Sequence, residues 1–424
     1  MTEADRLNAI LAREAPAVWQ ALSDVGRRAA FPLGNPAQSA EAKGTALDAT
    51  IGQITDGRGG PLPLPALADR AGALDRKKGF LYSAQQGHAD LRKAWGARQR
   101  RLSGGSTARV SSPLVVHGLT QGIGMVSDLF ADPDTTVLLP DLAWENYELM
   151  FTLYARAKIR TYPHYAADGT YDVDGLARAL DEVPGKAILV LGFPGNPSGF
   201  TPTVAQGRRI AEVVGAAKGP LVVVFDDAYA GLIYEDGLLT RSLFWDVLER
   251  SDPLRHVVIK VDGATKELVF FPGRVGFVTV GISGAAEAAL ESKLKCLGRA
   301  TVGSPPGPSQ ALVFDALQDP RLEEQIAVRV ADMGARYRAL KAALAGLNTD
   351  LLTPYPFNSG LFALVKVHPS IDADQLRRRL IAEHSVGTIA LPEHNAIRIA
   401  FCSVREDDLP ELVRRIELAV TATS

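Results

Sequence analysis

Residues 221–234 read LVVVFDDAYAGLIY, and residues 258–276 read VIKVDGATKELVFFPGRVG. Both open with a short, mainly apolar run, interrupted in the second by Lys260, the pattern of a parallel strand covered on both faces. Both then change abruptly to small and charged residues. Ligands in open α/β sheets bind at the carboxyl ends of such strands. The first run delivers Asp226 and Asp227 to that position, and the second delivers Lys266 after a turn of small residues, with Arg274 eight positions on. An Asp there can equally cap a helix, and a lone loop Lys is ordinarily solvated. A Lys held and desolvated by a tight turn, however, has a lowered pKa and a nucleophilic amine.

Working outward, further apolar runs at 114–116, 136–139, 158–160, 187–191 and 276–280 alternate with helical patterns such as Val173–Leu180 and Thr203–Ala217. This predicts an α/β domain with a mostly parallel central sheet flanked by helices. From about residue 310 a long helical stretch, 309–347, leads to strand candidates at 360–367, 386–391 and 396–401 and a final helix over 408–419. That texture predicts a second, smaller α+β domain. The expected division is an N-terminal segment, 1–65, packing with the small domain, a large domain, 66–308, and the small domain, 309–424. Pro- and Gly-rich stretches at 57–65 and 303–308 are the expected joints.

The chain has 424 residues, which favours two domains over one core. Lys plus Arg is 46 and Asp plus Glu is 48, for a formal charge of -2. That balance gives no reason to expect a nucleic-acid or membrane partner. The basic run 98–101 is expected to be a solvated helix end. Cys296 and Cys402 have neither paired nor metal-ligand spacing, so no metal is expected, and a reduced, cytoplasmic setting is. The amphipathic start, residues 1–18, lacks the apolar core of a signal peptide.

Two more segments carry chemistry. PLVVHGLTQGIGMVSDLF, 113–130, is strand, Gly-rich turn and helix. It would aim the backbone N–H groups of Leu119, Thr120 and Gln121 at an anion. A full G-x-G-x-x-G is absent, which weakens a dinucleotide reading. LGFPGNPSGF, 191–200, is a constrained turn presenting Asn196 as a fixed donor. A phosphorylated pyridine aldehyde needs an amine, a carboxylate for its ring nitrogen, a phosphate cradle and a donor to its ring oxygen. Each has a candidate.

NPSG at Asn196, FDDAY at Asp226, the Thr265–Lys266 pair with Arg274, and IRIAF at Arg398 stand in an order and spacing that resemble the class I and II aminotransferases of the fold-type-I pyridoxal-phosphate enzymes. The resemblance runs from about Asp48 to Val404 and implies pyridoxal 5'-phosphate as cofactor. It implies that Lys266 forms an imine with it and then shuttles a proton, and that Asp226 pairs with the ring nitrogen. Tyr229 and Asn196 would bond the ring oxygen, Arg274, Thr120 and Thr265 the phosphate, and Arg398 the substrate α-carboxylate.

Other matches resemble the aspartate and aromatic branch. LPDLAWENYELMF, 139–151, resembles P-x-W-x-N-H and implies Trp144 as a platform for the ring. Tyr82 in FLYSAQQG implies a phosphate contact across a homodimer with shared sites. Ile51 and Gly52 resemble a loop over the substrate. GRATVGSPPG, 298–307, implies that Arg299 meets a side-chain carboxylate in the neighbouring subunit. Three departures loosen the specificity. Gly263 stands for the family's Ser, Tyr147 for its His, and Gly303 for the Ser before S-P-P. The expected substrates are an L-amino acid, aspartate or an aromatic one, and a 2-oxo acid. A carbon–sulfur β-lyase of the same fold, or a cofactor-binding regulator, is the alternative.

Overall fold

The computed structural model describes residues 2–32 and 34–421. Its centre is a seven-stranded sheet of β1 (Leu114–His117), β2 (Thr136–Pro140), β3 (Lys158–Tyr162), β4 (Ala187–Leu191), β5 (Leu221–Asp226), β6 (His256–Gly263) and β7 (Val275–Val280). The order is β1-β7-β6-β5-β4-β2-β3. β7 runs antiparallel to both its neighbours, β1 and β6, and the other strand pairs are parallel. Every residue of β4 and β5 is buried, as their unbroken apolar sequences require. Helices cover both faces, leaving one core beneath each.

A second, four-stranded antiparallel sheet has the order 389–391, 396–400, 362–367, 352–354. Helices Leu322–Ala345, Ala373–His384 and Leu409–Thr421 accompany it, and a separate core fills it. The expected helical stretch 309–347 is two helices, Gly307–Leu317 and Leu322–Ala345. Pro320 lies between them and has no N–H to continue a ladder, and the Asp319 carboxylate accepts from the Arg321 N–H at 2.9 Å. The first of the two packs on 65–68, 76–80 and 89–101. The N-terminal helical pattern likewise breaks, at Ala15–Pro16, into Glu3–Glu14 and Pro16–Ala21.

The segment before residue 50 reaches the second sheet. Leu47–Asp48 pairs in parallel with Val386–Gly387. The Gln38 amide exchanges two hydrogen bonds with the Ala390 backbone, at 3.1 and 2.7 Å. These bonds fix helix Asn35–Glu41 beside the strand ends of the central sheet. Among the described residues, no helix is long and apolar enough to cross a membrane.

Candidate active site

The carboxyl ends of the parallel strands open into a cavity of about 760 Å³. β7, running the other way, starts at the same end and brings Arg274 there. Lys266, Asp226, Tyr229, Leu119, Thr120, Trp144, Asn196, Thr265, Arg274, Gly52 and Arg398 all line this one space. Of the candidate residues singled out from sequence, Asp227, Gln121, Tyr82 and Arg299 do not. The Gln121 side chain turns away, accepting from the His117 N–H at 2.6 Å and donating to Thr301 Oγ1 at 3.3 Å. Tyr82 is 98% exposed, and Arg299 is exposed in the last turn of helix Ala285–Thr301.

Lys266 sits on a single helical turn, Ala264–Glu267. The next residue anchors that turn: Glu267 takes the Arg98 guanidinium at 2.7 and 3.0 Å. Arg98 is therefore not the solvated residue expected of the basic run. It is buried, and Glu323 binds its other nitrogen. The Lys266 amine lies 4.9 Å from the Tyr229 ring centre. Burial depresses its pKa below the ordinary lysine value; Asp226 opposes that shift and Arg274 adds to it. A depressed pKa gives more of the nucleophilic free amine near neutral pH.

The two aspartates of β5 have separate fates. Asp227 is bound by the buried Lys260 amine, which also meets Asp262 at 3.2 Å. Asp262 in turn accepts from Trp95 Nε1 at 3.0 Å. Asp226 instead faces the cavity, its Oδ1 accepting from the Ala228 N–H at 3.1 Å and its Oδ2 from the Tyr147 hydroxyl at 2.6 Å. Burial raises the Asp226 carboxyl above its usual value, while Tyr147, Lys266 and the Ala228 N–H pull it back.

One corner suits an anion. Helix Gly118–Phe130 begins there, and the first amides of a helix have no intrahelical acceptor. Gly118 has φ +78°, and a Cβ on it would lie 2.2 Å from Arg274 Nη2. The missing side chain is what lets the guanidinium reach the helix start. Among the described residues no carboxylate pairs with Arg274. The Thr265 hydroxyl in the same wall is buried without a partner. A phosphate fits these three features. The departure at Gly263 also has a cause: a Cβ there would meet the Val275 carbonyl oxygen at 2.5 Å and Gly276 Cα at 2.8 Å. A serine at 263 would push β6 and β7 apart.

Arg398 occupies the middle of strand 396–400 and is 4% exposed. Its Nη2 donates to the Thr50 carbonyl at 2.8 Å and its Nη1 to Asn196 Oδ1 at 3.1 Å. Its Nε has no partner. The guanidinium lies 4.4 Å from the Phe362 ring centre. Among the described residues it makes no ion pair with a carboxylate, although Glu145 acts on it from farther off, so a buried cation faces the cavity without a direct counter-ion. Gly52 touches the same phenylalanine, where a Cβ would come within 2.3 Å of the ring.

Sequence reading missed part of the wall. Asn35, Ser39 and Lys43 line the mouth from helix Asn35–Glu41 and the turn after it. Their four-residue spacing was a signal available in the sequence. His164 also lines the cavity, and both its ring nitrogens lack partners. Burial pushes its pKa down to about 3, so it is neutral.

A family model described as "Aminotransferase class I and II" matches residues 45–416. The chain belongs to the class I and II aminotransferase family. A cytoplasmic aspartate aminotransferase of Caenorhabditis elegans is 25% identical over 295 residues, 68% of either chain. An L-tyrosine:2-oxoglutarate aminotransferase of Aspergillus ustus is 25% identical over 352 residues, 76% of this chain and 65% of that one. With other aspartate aminotransferases the match spans about half of the relative's length. Among solved structures, the cytoplasmic aspartate aminotransferase of Saccharomyces cerevisiae superposes with a TM-score of 0.77 at 20% identity, covering 97% of this chain and 100% of that one. The shared architecture is the α/β sheet expected from the strand pattern and the aminotransferase fold that the resemblance implied.

Proposed function

We propose that this aminotransferase moves an amino group from an L-amino acid to a 2-oxo acid, with pyridoxal phosphate held by Lys266. The observation that carries this reading is one cavity holding a desolvated amine, a buried carboxylate and two guanidiniums that, among the described residues, have no carboxylate ion-pair partner. Bound there, the cofactor supplies an aldehyde carbon to receive the amino group and an electron-accepting ring. Thr265, Arg274 and the amides of Leu119 and Thr120 would bind its phosphate. Asp226 would pair with its ring nitrogen, Asn196 and Tyr229 would bond its ring oxygen, and Trp144 would lie against the ring. Arg398 would fork onto the α-carboxylate of either substrate, and the Lys266 amine would hold and move the proton taken from the substrate α-carbon.

The substrate pair and the assembly also belong to this proposal. Aspartate and an aromatic amino acid are the candidate donors, in keeping with relatives named for aspartate and tyrosine. Tyr82 and Arg299 lie outside their own cavity, which is what residues serving a second subunit would do. A cytoplasmic homodimer is the form proposed. The test is a screen of aspartate, tyrosine, phenylalanine, alanine and cysteine against 2-oxoglutarate. Glutamate formation dependent on the oxo acid is expected; release of ammonia and pyruvate from cysteine without any oxo acid, and no glutamate from any donor, would show a carbon–sulfur β-lyase instead.

A further inference from the structure

Tyr147 stands where the resemblance expects histidine, and the geometry gives that exchange a consequence. Helix Asn146–Thr152 places the Tyr147 hydroxyl 2.6 Å from Asp226 Oδ2, with both side chains buried. The approach is close-fitting, since a Cβ on Gly192 would already lie 2.9 Å from the Asp226 carbonyl oxygen and 3.8 Å from the Tyr147 hydroxyl. A phenol next to a carboxylate has one role available, because only the phenol carries a proton to donate.

The surrounding groups fix which way that proton stays. Asp226 is faced by the Lys266 amine from helix Ala264–Glu267 and by Asp227 in its own chain. Tyr147 is faced by Asp226, Tyr229 and Asp227, of which Asp227 is already taken by Lys260. Burial, with Asp226 beside it, pushes the phenol well above its ordinary value. It therefore donates throughout the physiological range. A histidine here would change charge in that range.

We propose that Tyr147 is a positioning residue: its hydroxyl orients Asp226 and keeps it ionised for the cofactor's ring nitrogen, with a donor that does not itself titrate near neutral pH. The inference rests on the cofactor reading above. One Tyr147 bond occupies one lone pair of Oδ2, and the Ala228 N–H occupies one of Oδ1. Each oxygen keeps a second lone pair for the ring N–H.

The test compares Tyr147→Phe and Tyr147→His with the wild type. Apoprotein is titrated with pyridoxal phosphate from pH 6 to 8.5, and the ratio of variant to wild-type dissociation constants is taken at each pH. Apoprotein melting temperature controls for folding. Removing the donor raises the Asp226 pKa, so ionised Asp226 is lost sooner as pH falls. The Phe ratio is expected to be about tenfold, the scale of a lost hydrogen bond to a charged group, and to grow toward pH 6. The His ratio is expected to shrink toward pH 6, because an imidazolium stabilises the carboxylate more than a phenol does. Equal ratios for both variants at every pH, tracking lost melting temperature, would make Tyr147 merely structural and overturn the proposal. So would a Phe variant with wild-type affinity. Failure of the wild type itself to take up cofactor would instead refute the cofactor reading, and this inference with it.

Discussion

Arg398 Nη1 donates to Asn196 Oδ1 at 3.1 Å, joining residues 202 positions apart. The bond links the second sheet to a loop of the first. It leaves the guanidinium aimed by Asn196 and by the Thr50 carbonyl, with its Nε unpartnered. A buried cation so oriented, with no carboxylate partner, is costly unless a ligand supplies one.

Arg398→Lys keeps the charge and loses the fork. The Lys retains one contact and loses the other arm of the fork, a charge-assisted bond worth about 1.5–3 kcal/mol, so kcat/KM for both substrates should fall about 10- to 100-fold. Steady-state kinetics with each partner varied would check it. A loss confined to one substrate would contradict a shared α-carboxylate site.

Gly118→Ala should weaken cofactor retention without abolishing folding. The left-handed backbone costs a side chain about 1–2 kcal/mol, and the new Cβ displaces Arg274. Equilibrium dialysis against pyridoxal phosphate reads the change. Unaltered affinity would mean that Arg274 does not contact the phosphate.

Lys260→Met should destabilise the protein by about 3–5 kcal/mol, because Asp227 and Asp262 would be left buried and uncompensated. Burial alone would lower the Lys260 pKa, but the two carboxylates overcome it and hold the amine above its ordinary value. Urea unfolding at pH 7 measures the loss. A variant as stable as the wild type would show that the trio contributes nothing net.

The proposed homodimer with shared sites makes a mixing prediction. Lys266→Ala and Arg299→Ala chains, refolded together, should regain activity toward a dicarboxylic donor that neither shows alone. One hybrid cavity then has both residues. No recovery in proven heterodimers would remove Arg299 from the neighbour's site.

Much of this was legible because buried parallel strands write themselves as apolar runs. The runs at 187–191 and 221–225 match β4 and β5 to within one residue. Asp226 was legible at the end of such a run, whereas Lys266, Asn196 and Arg398 became legible through their order and spacing, which resemble the family's motifs. The break at Asp319–Arg321 was obscured by helical composition on both sides of Pro320. His164 went unread because only the folded chain brings it to the cavity wall. Arg98 misled because a basic run says nothing about which residue turns inward. Gly263 looked like a lost hydroxyl, yet its cause is the close approach of β6 and β7, a contact between distant segments.

The central claim is that Lys266 carries the cofactor. Wild type and Lys266→Ala should be loaded with pyridoxal phosphate, reduced with borohydride, digested and mapped by mass spectrometry. The account predicts the phosphopyridoxyl group on the peptide containing Lys266 and no such label in the variant. A label on another lysine of the wild type, or one that survives in Lys266→Ala at equal yield, would contradict it.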